Sequence, residues 1–176
     1  MSIHRMFFAG SGGQGILLMG QMIGKAAMIE GNEATFFPSY GPEMRGGTAN
    51  CTVVVSDKPI SSPLIVSSDA VVAMTLPSMN KFEPTIKPGG TLLINTSLIK
   101  HAPKRTDINV IEVPVTDIAI ELGNPKIANI IMLGAFVRAT NVVSEESIDK
   151  VMIEVFSGKY ANLLELERKA FKLFEQ

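Results

Sequence analysis

The periodicity of apolar positions changes several times along the chain, and each change marks an element. Met6-Phe7-Phe8-Ala9 is an unbroken apolar run within an expected strand over residues 3–9, the pattern of a strand buried on both faces. Six residues rich in glycine follow, and then a proline-free apolar stretch gives a helix over 15–29, apolar on most of its circumference. Gly20 and Gly24 lie four apart in it, a spacing that predicts close approach of another backbone on that face. Gly31-Asn32 ends the helix, and a short second strand is expected over 34–37. The next stretch, 38–47, carries two prolines and three glycines and reads as a loop. A third strand, 48–56, is rich in β-branched residues. That loop is too short for a helical crossover of a dozen residues or more. The third strand is therefore expected antiparallel to a neighbour, in a hairpin through Ser56-Asp57-Lys58-Pro59.

After a connection rich in serine and proline, a fourth strand is expected over 70–74, with Asp69 at its entrance, and a short helix over 78–83. Lys87-Pro88-Gly89-Gly90 reads as a turn before a fifth strand over 91–95. A polar connection over 100–107 leads to a sixth strand over 109–113. Strands alternating with helical segments predict a three-layer, Rossmann-like α/β fold. Its sheet is mainly parallel, with at least one antiparallel strand, and the last third of the chain is helical. Helices are expected over 115–122 and 127–140, separated by Gly123-Asn124-Pro125. Ser144 caps the next helix, whose Ile148, Val151, Met152, Val155 and Phe156 follow amphipathic spacing up to Gly158. In a final helix over 160–174 the apolar positions spread beyond one stripe. It meets two surfaces, the second belonging either to a partner subunit or to this chain.

Composition narrows the class. At 176 residues, 46% hydrophobic and 19% charged, the chain is a globular unit read as one domain over 1–176. The 16 basic and 17 acidic residues leave a net charge of -1, which suggests no nucleic-acid or membrane-surface partner. Cys51 stands alone, and one thiol cannot hold an iron–sulfur cluster or a structural zinc. With no bilayer-length apolar run and no secretory pattern at the N-terminus, a cytoplasmic protein is expected.

Candidate chemistry concentrates at the first turn. Gly10, Gly12 and Gly15 satisfy a G-x-G-x-x-G spacing between strand and helix. Helix-initial N–H groups lack partners inside the helix and carry the positive end of its dipole, so a phosphate can be held over Gly10, Ser11, Gly12, Gly13, Gln14 and Gly15. The alternative is a tight turn that serves packing alone. A dinucleotide site also needs an acidic residue after the second strand. That strand instead leads into Phe37-Pro38-Ser39, with Glu30 and Glu33 at its far end. Ligands of open parallel sheets bind outside the strands' carboxyl ends, which here offer Ser39, Tyr40, Glu43, Arg45, Thr75, Ser78, Asn95, Thr96, Ser97 and Thr116. Hydroxyls, amides and a guanidinium suit phosphate and ribose; a nucleophile with its base is missing. His4 is expected at the opposite edge, His101 in a basic surface loop, and Cys51 inside the third strand as a small core residue.

Two stretches resemble one family. Gly10-Ser11-Gly12-Gly13-Gln14-Gly15-Ile16 is similar to its glycine motif, and Ser39-Tyr40-Gly41-Pro42-Glu43-Met44-Arg45-Gly46-Gly47, followed by Ala49-Asn50-Cys51, to its second signature. The family is the gamma subunit of the 2-oxoacid:ferredoxin oxidoreductases, including the equivalent domain of pyruvate:ferredoxin oxidoreductase. The likeness continues through Gly123-Asn124-Pro125-Lys126-Ile127-Ala128-Asn129 to Leu133-Gly134-Ala135; Met44 departs from it, since many relatives carry glutamine there. The resemblance implies a non-catalytic subunit of a complex that oxidatively decarboxylates a 2-oxoacid, forms acyl-coenzyme A and passes electrons to ferredoxin. Thiamine diphosphate and Mg are then expected on alpha and beta subunits, and iron–sulfur clusters on beta or delta. This chain would handle coenzyme A, its phosphate at Ser11 to Gly15, with Ser39, Tyr40, Arg45, Gly46, Gly47, Thr75 and Asn95 completing the candidate site. Arg45 serves a phosphate, an interface or an internal carboxylate. The signature resembles the 2-oxoglutarate type most, then the branched-chain type (2-oxoisovalerate), with pyruvate also open. Two other classes remain: a free-standing nucleotide-dependent oxidoreductase, and a structural subunit with an empty turn.

Overall fold

A computed structural model describes residues 2–40 and 48–174. Six strands form one sheet: β1 (Ile3–Ser11), β2 (Glu33–Tyr40), β3 (Thr48–Ser56), β4 (Ser68–Ala73), β5 (Ile86–Asn95) and β6 (Asn109–Val113). Helices α1 (Ile16–Ile29), α2 (Leu76–Phe82), α3 (Val115–Glu121), α4 (Ala128–Thr140), α5 (Glu145–Val155) and α6 (Leu164–Phe171) complete the α/β architecture. The strand order is β2-β3-β1-β4-β5-β6. β1, β4, β5 and β6 pair in parallel, while β3 runs antiparallel to both β1 and β2. The sheet is therefore mainly parallel with one reversed strand, as the alternation of elements predicted.

Alternation along β1 divides the core. Met6 and Phe8 face the side covered by α1, α3, α4 and α5, where Phe8 meets Phe136 edge-on with centroids 5.0 Å apart. Phe7 and Ala9 face the thinner layer beneath α2, where Phe7 lies 4.6 Å from the Phe82 ring. Period-two burial on both sides explains why the run has no polar position.

Several boundaries differ from the sequence expectation. The hairpin into β3 comes from β2 through residues 41–47, and not through Ser56–Pro59, because β3 sits between β2 and β1 while β4 pairs on the far side of β1. β2 extends to Tyr40, so Pro38 and Ser39 are strand residues opposite Cys51 and Asn50. Proline is tolerated because β2 is an edge strand, where its missing N–H can face outward. The expected turn at Lys87–Gly90 is a bulge within β5: Ser68 pairs with Ile86, and pairing resumes at Ala70 with Thr91. Gly89 has φ 78 there, and a Cβ on Gly90 would lie 2.8 Å from the Asp69 carbonyl oxygen. The last expected helix divides into a 3-10 segment (Gly158–Leu163) and α6. Gly20 is approached by side chains and not by backbone, its Cβ position lying 2.5 Å from Cys51 Sγ, and Gly24 has nothing within 4 Å. Ser144 does cap α5, accepting the Ser147 N–H at 3.1 Å. Among the described residues no helix is long and apolar enough to cross a membrane.

Candidate functional site

β1 and β4 are adjacent and parallel, yet the chain leaves β1 towards β2 on one side, while β4 continues to β5 on the other. Their carboxyl ends therefore form a topological switch point, the place where open α/β sheets leave a crevice. The glycine turn occupies it. Gly10 and Ser11 are the last residues of β1, paired with Ala49 and Thr48 of β3. Gly13 has φ 86 and Gly15 φ 72, left-handed conformations that place α1 directly over the end of its strand. Gly12 and Gly13 are exposed, and no side chain caps the first turn of α1.

Two of the glycines answer to packing. A Cβ on Gly15 would fall 2.2 Å from Asn129 Nδ2, and one on Gly10 would fall 2.5 Å from Gln14 Oε1 and 2.9 Å from Met74 Cβ. Asn129, buried on α4, donates to the Gly15 carbonyl at 3.4 Å, joining the turn to the C-terminal helices. Gln14 folds back so that its Oε1 accepts the Ser11 N–H at 2.7 Å. A cavity of about 250 Å³ opens beside the turn, lined by Gly13, Gln14, Met74, Leu98, Thr116 and Lys126 among others. Lys126 is exposed and makes no ion pair among the described residues.

The remaining candidates are placed as follows. Thr75 heads α2, and its hydroxyl pairs with that of Ser78 at 2.9 Å. Asn95 is fully buried: its Nδ2 donates to Thr116 Oγ1 at 2.9 Å and to the Met74 carbonyl at 3.4 Å, and its Oδ1 accepts the Ser97 N–H. Its polar atoms tie the ends of β4 and β5 to α3, which makes it a brace beneath the cavity. Ser39 is exposed on β2, and the backbone of Tyr40 pairs with Ala49, which also pairs with Gly10. Tyr40 and Gly10 thus stand at one level of one sheet edge, two strand spacings or about 10 Å apart. Arg45, Gly46 and Gly47, with Glu43 and Met44, lie outside the described residues.

Lys126 and Asn129 were absent from the sequence candidates. A polar residue inside the apolar run of α4 was the available signal for Asn129. Both residues lie in the 123–129 stretch of the family likeness, but nothing in the sequence placed Lys126 beside the turn, which it borders from the 3-10 turn that leads into α4. His4 lies near the amino end of β1, bonded to Ser2 Oγ at 2.9 Å, and His101 is exposed. Cys51 is fully buried against Ile16, and burial pushes its thiol up to about 12. Among the described residues no three His, Cys, Asp or Glu side chains are grouped to hold a metal.

The family profile of pyruvate ferredoxin/flavodoxin oxidoreductase matches residues 5–173. Subunit KorC of 2-oxoglutarate synthase from Methanocaldococcus jannaschii is 40% identical over 149 residues, covering 83% of this chain and 80% of that protein. Subunit VorA of ketoisovalerate oxidoreductase from Methanothermobacter marburgensis is 38% identical over 156 residues, covering 88% of this chain but 32% of that longer protein. The crystal structure of a keto/oxoacid ferredoxin oxidoreductase gamma subunit from Geobacter sulfurreducens superposes with TM-score 0.82 at 33% identity, covering 97% of this chain and 95% of that one. A 2-oxoglutarate:ferredoxin oxidoreductase from Magnetococcus marinus, solved with 2-oxoglutarate, coenzyme A and succinyl-CoA bound, shares the fold with TM-score 0.89 at 23% identity, this chain matching 30% of it. The chain belongs to the pyruvate ferredoxin/flavodoxin oxidoreductase family, as a gamma subunit of the 2-oxoacid:ferredoxin oxidoreductases.

Proposed function

We propose that this chain is the coenzyme A-handling, non-catalytic gamma subunit of a complex that oxidatively decarboxylates 2-oxoglutarate. The observation that carries the reading is the glycine turn at the switch point, uncapped at α1 and open to a cavity bearing the exposed cation Lys126. That combination suits a phosphate ester: helix-initial N–H groups and a lysine favour an anion, while Met74 and Leu98 supply apolar wall. At about 250 Å³ the cavity is smaller than the usual site for a whole ligand of drug size. It can take one end of coenzyme A, leaving the thiol arm to be received by another subunit. Alpha, beta and delta subunits are the proposed partners. Thiamine diphosphate, Mg and iron–sulfur clusters reside on them and supply the decarboxylation and electron-transfer chemistry, with ferredoxin as acceptor. The 2-oxoglutarate assignment rests on the 40% identity to the KorC subunit. The 38% identity to a ketoisovalerate subunit supports a branched-chain alternative.

Both substrate readings are tested by purifying the complex through a tag on this chain and assaying coenzyme A-dependent dye reduction with 2-oxoglutarate, 2-oxoisovalerate and pyruvate. Co-purification of thiamine-enzyme subunits and a preference for 2-oxoglutarate are expected. Lys126→Ala should raise the coenzyme A KM about fivefold, the upper range for an exposed ion pair. Recovery of the chain alone, or of a complex that turns over without coenzyme A, overturns the reading.

A further inference from the structure

We infer that Gln14 is a specificity-determining residue of the coenzyme A site, its side-chain amide donating to a phosphate oxygen from the floor of the cavity. The inference rests on the coenzyme A reading above and concerns one side chain within it. The orientation of the Gln14 carboxamide is fixed by its backbone partner. Ser11 N–H can only donate, so the atom 2.7 Å from it has to be the carbonyl oxygen Oε1. A flipped amide would set two donors against each other. With Oε1 anchored, Nε2 projects away from Ser11, and it makes no hydrogen bond among the described residues.

Gly10 belongs to the same device. A Cβ there would fall 2.5 Å from Gln14 Oε1, so the glycine leaves room for the folded-back carboxamide. Gln14 also lines the cavity together with Gly13 and Lys126. Two donors of different kinds, a neutral amide held rigidly and an ammonium on a flexible stem, therefore border the same space. A rigid amide donor selects by direction and a lysine by charge. Together they discriminate a phosphate ester from a neutral hydroxyl or thiol. The ligand chemistry is the phosphate end of coenzyme A, and a pantetheine arm without phosphate would gain nothing from either donor.

Gln14→Glu isolates the donor. One carboxylate oxygen still accepts the Ser11 N–H, so the turn is retained, while the other oxygen replaces a donor with a negative charge facing the phosphate. Calorimetric titration of coenzyme A into the purified complex should show affinity weakened about tenfold or more. With pantetheine as acyl acceptor, kcat/KM should fall less than with coenzyme A, so that the coenzyme A-to-pantetheine ratio of kcat/KM drops about tenfold. Exchange protection of the Ser11 amide in ligand-free complex checks that the turn survives; Gln14→Met, with neither acceptor nor donor, should lose it. Wild-type coenzyme A affinity in Gln14→Glu, with Lys126→Ala weakened, refutes the role of Gln14 and leaves the site reading standing. Wild-type affinity in both variants overturns the site and the inference together. Equal losses for coenzyme A and pantetheine also refute the inference, since they would mark a general distortion of the turn.

Discussion

Two helical glycines, four residues or more from any turn, are predicted to respond to alanine in opposite directions. At Gly134 an added Cβ would lie 2.2 Å from the Phe171 carbonyl oxygen and 3.0 Å from the carbon that bears it. These are backbone atoms at the end of α6, and the same oxygen accepts Arg138 Nη1 at 2.9 Å. Relief of the contact requires α6 to move outward, drawing Phe171, now 1% exposed, from the core and lengthening the Arg138 bond. Overpacking of this kind costs about 1–3 kcal/mol. The better helix propensity of alanine returns about 1 kcal/mol. Backbone at 2.2 Å cannot give way as the end of a side chain can, which puts this contact in the upper half of that range, about 2–3 kcal/mol. The net loss is then about 1–2 kcal/mol, or a fall of about 2–8 °C in Tm for a chain of this length. At Gly24, inside α1, nothing lies within 4 Å of the added carbon. There only the propensity gain acts, so Gly24→Ala should raise Tm by about 2–4 °C. Thermal unfolding of the two variants and wild type, followed by circular dichroism in one buffer, decides the matter. A Gly134→Ala chain that melts at or above wild type refutes the close approach of α6 to α4. A Gly24→Ala chain that falls as far as Gly134→Ala refutes the reasoning from space.

Glu167 is buried on α6 with its Oε2 unbonded, and burial pushes its carboxyl from an ordinary 4.5 up to about 7. Between those values the folded chain keeps a proton that the unfolded chain has lost, so stability falls as pH rises through that window, by about 3 kcal/mol at most. Denaturant midpoints at pH 5 and pH 8 should show the fall in wild type and its absence in Glu167→Gln; an equal slope in both would refute it. Cys51, with its thiol pushed up to about 12 and fully buried, should resist a disulfide-exchange reagent at pH 8 in the folded chain and react fully in denaturant. Rapid stoichiometric labelling of the folded chain would contradict the burial of Cys51 on β3 beneath α1.

Much of the order of elements could be read along the chain because each carries a local cause. The apolar run of β1 needs cover on two faces, the β-branched residues of β3 suit a pleated strand, and Ser144 satisfies an N–H at the start of α5 whatever lies around it. The glycine spacing at 10, 12 and 15 belongs to the same class, since left-handed backbone at Gly13 and Gly15 is a local requirement. Long-range partners were not local. Lys87–Gly90 carries turn chemistry, yet β4 and β6 on either side hold it as a bulge in β5. Pro38 ends a strand by propensity, but an edge position lets β2 run on to Tyr40. The expected hairpin after β3 failed for a related reason: β3 is paired on both sides, by β2 and by β1, which leaves it no open edge for β4.

The candidate site divides along the same line. That an anion could rest on the glycine turn follows from unpartnered helix-initial N–H groups and from residues without Cβ, both properties of Gly10 to Gly15 themselves. That Gly15 is closed by Asn129, that Asn95 is a brace, and that Lys126 borders the cavity were decided by tertiary packing. Each depends on α3 or α4 folding back against the ends of β1, β4 and β5, and the sequence separation involved, 114 residues between Gly15 and Asn129, carries no local signature. Sequence determined the backbone of the turn, through the conformations its own residues allow. Tertiary structure chose the side chains around it, because donors far apart along the chain meet only once the sheet has set its order.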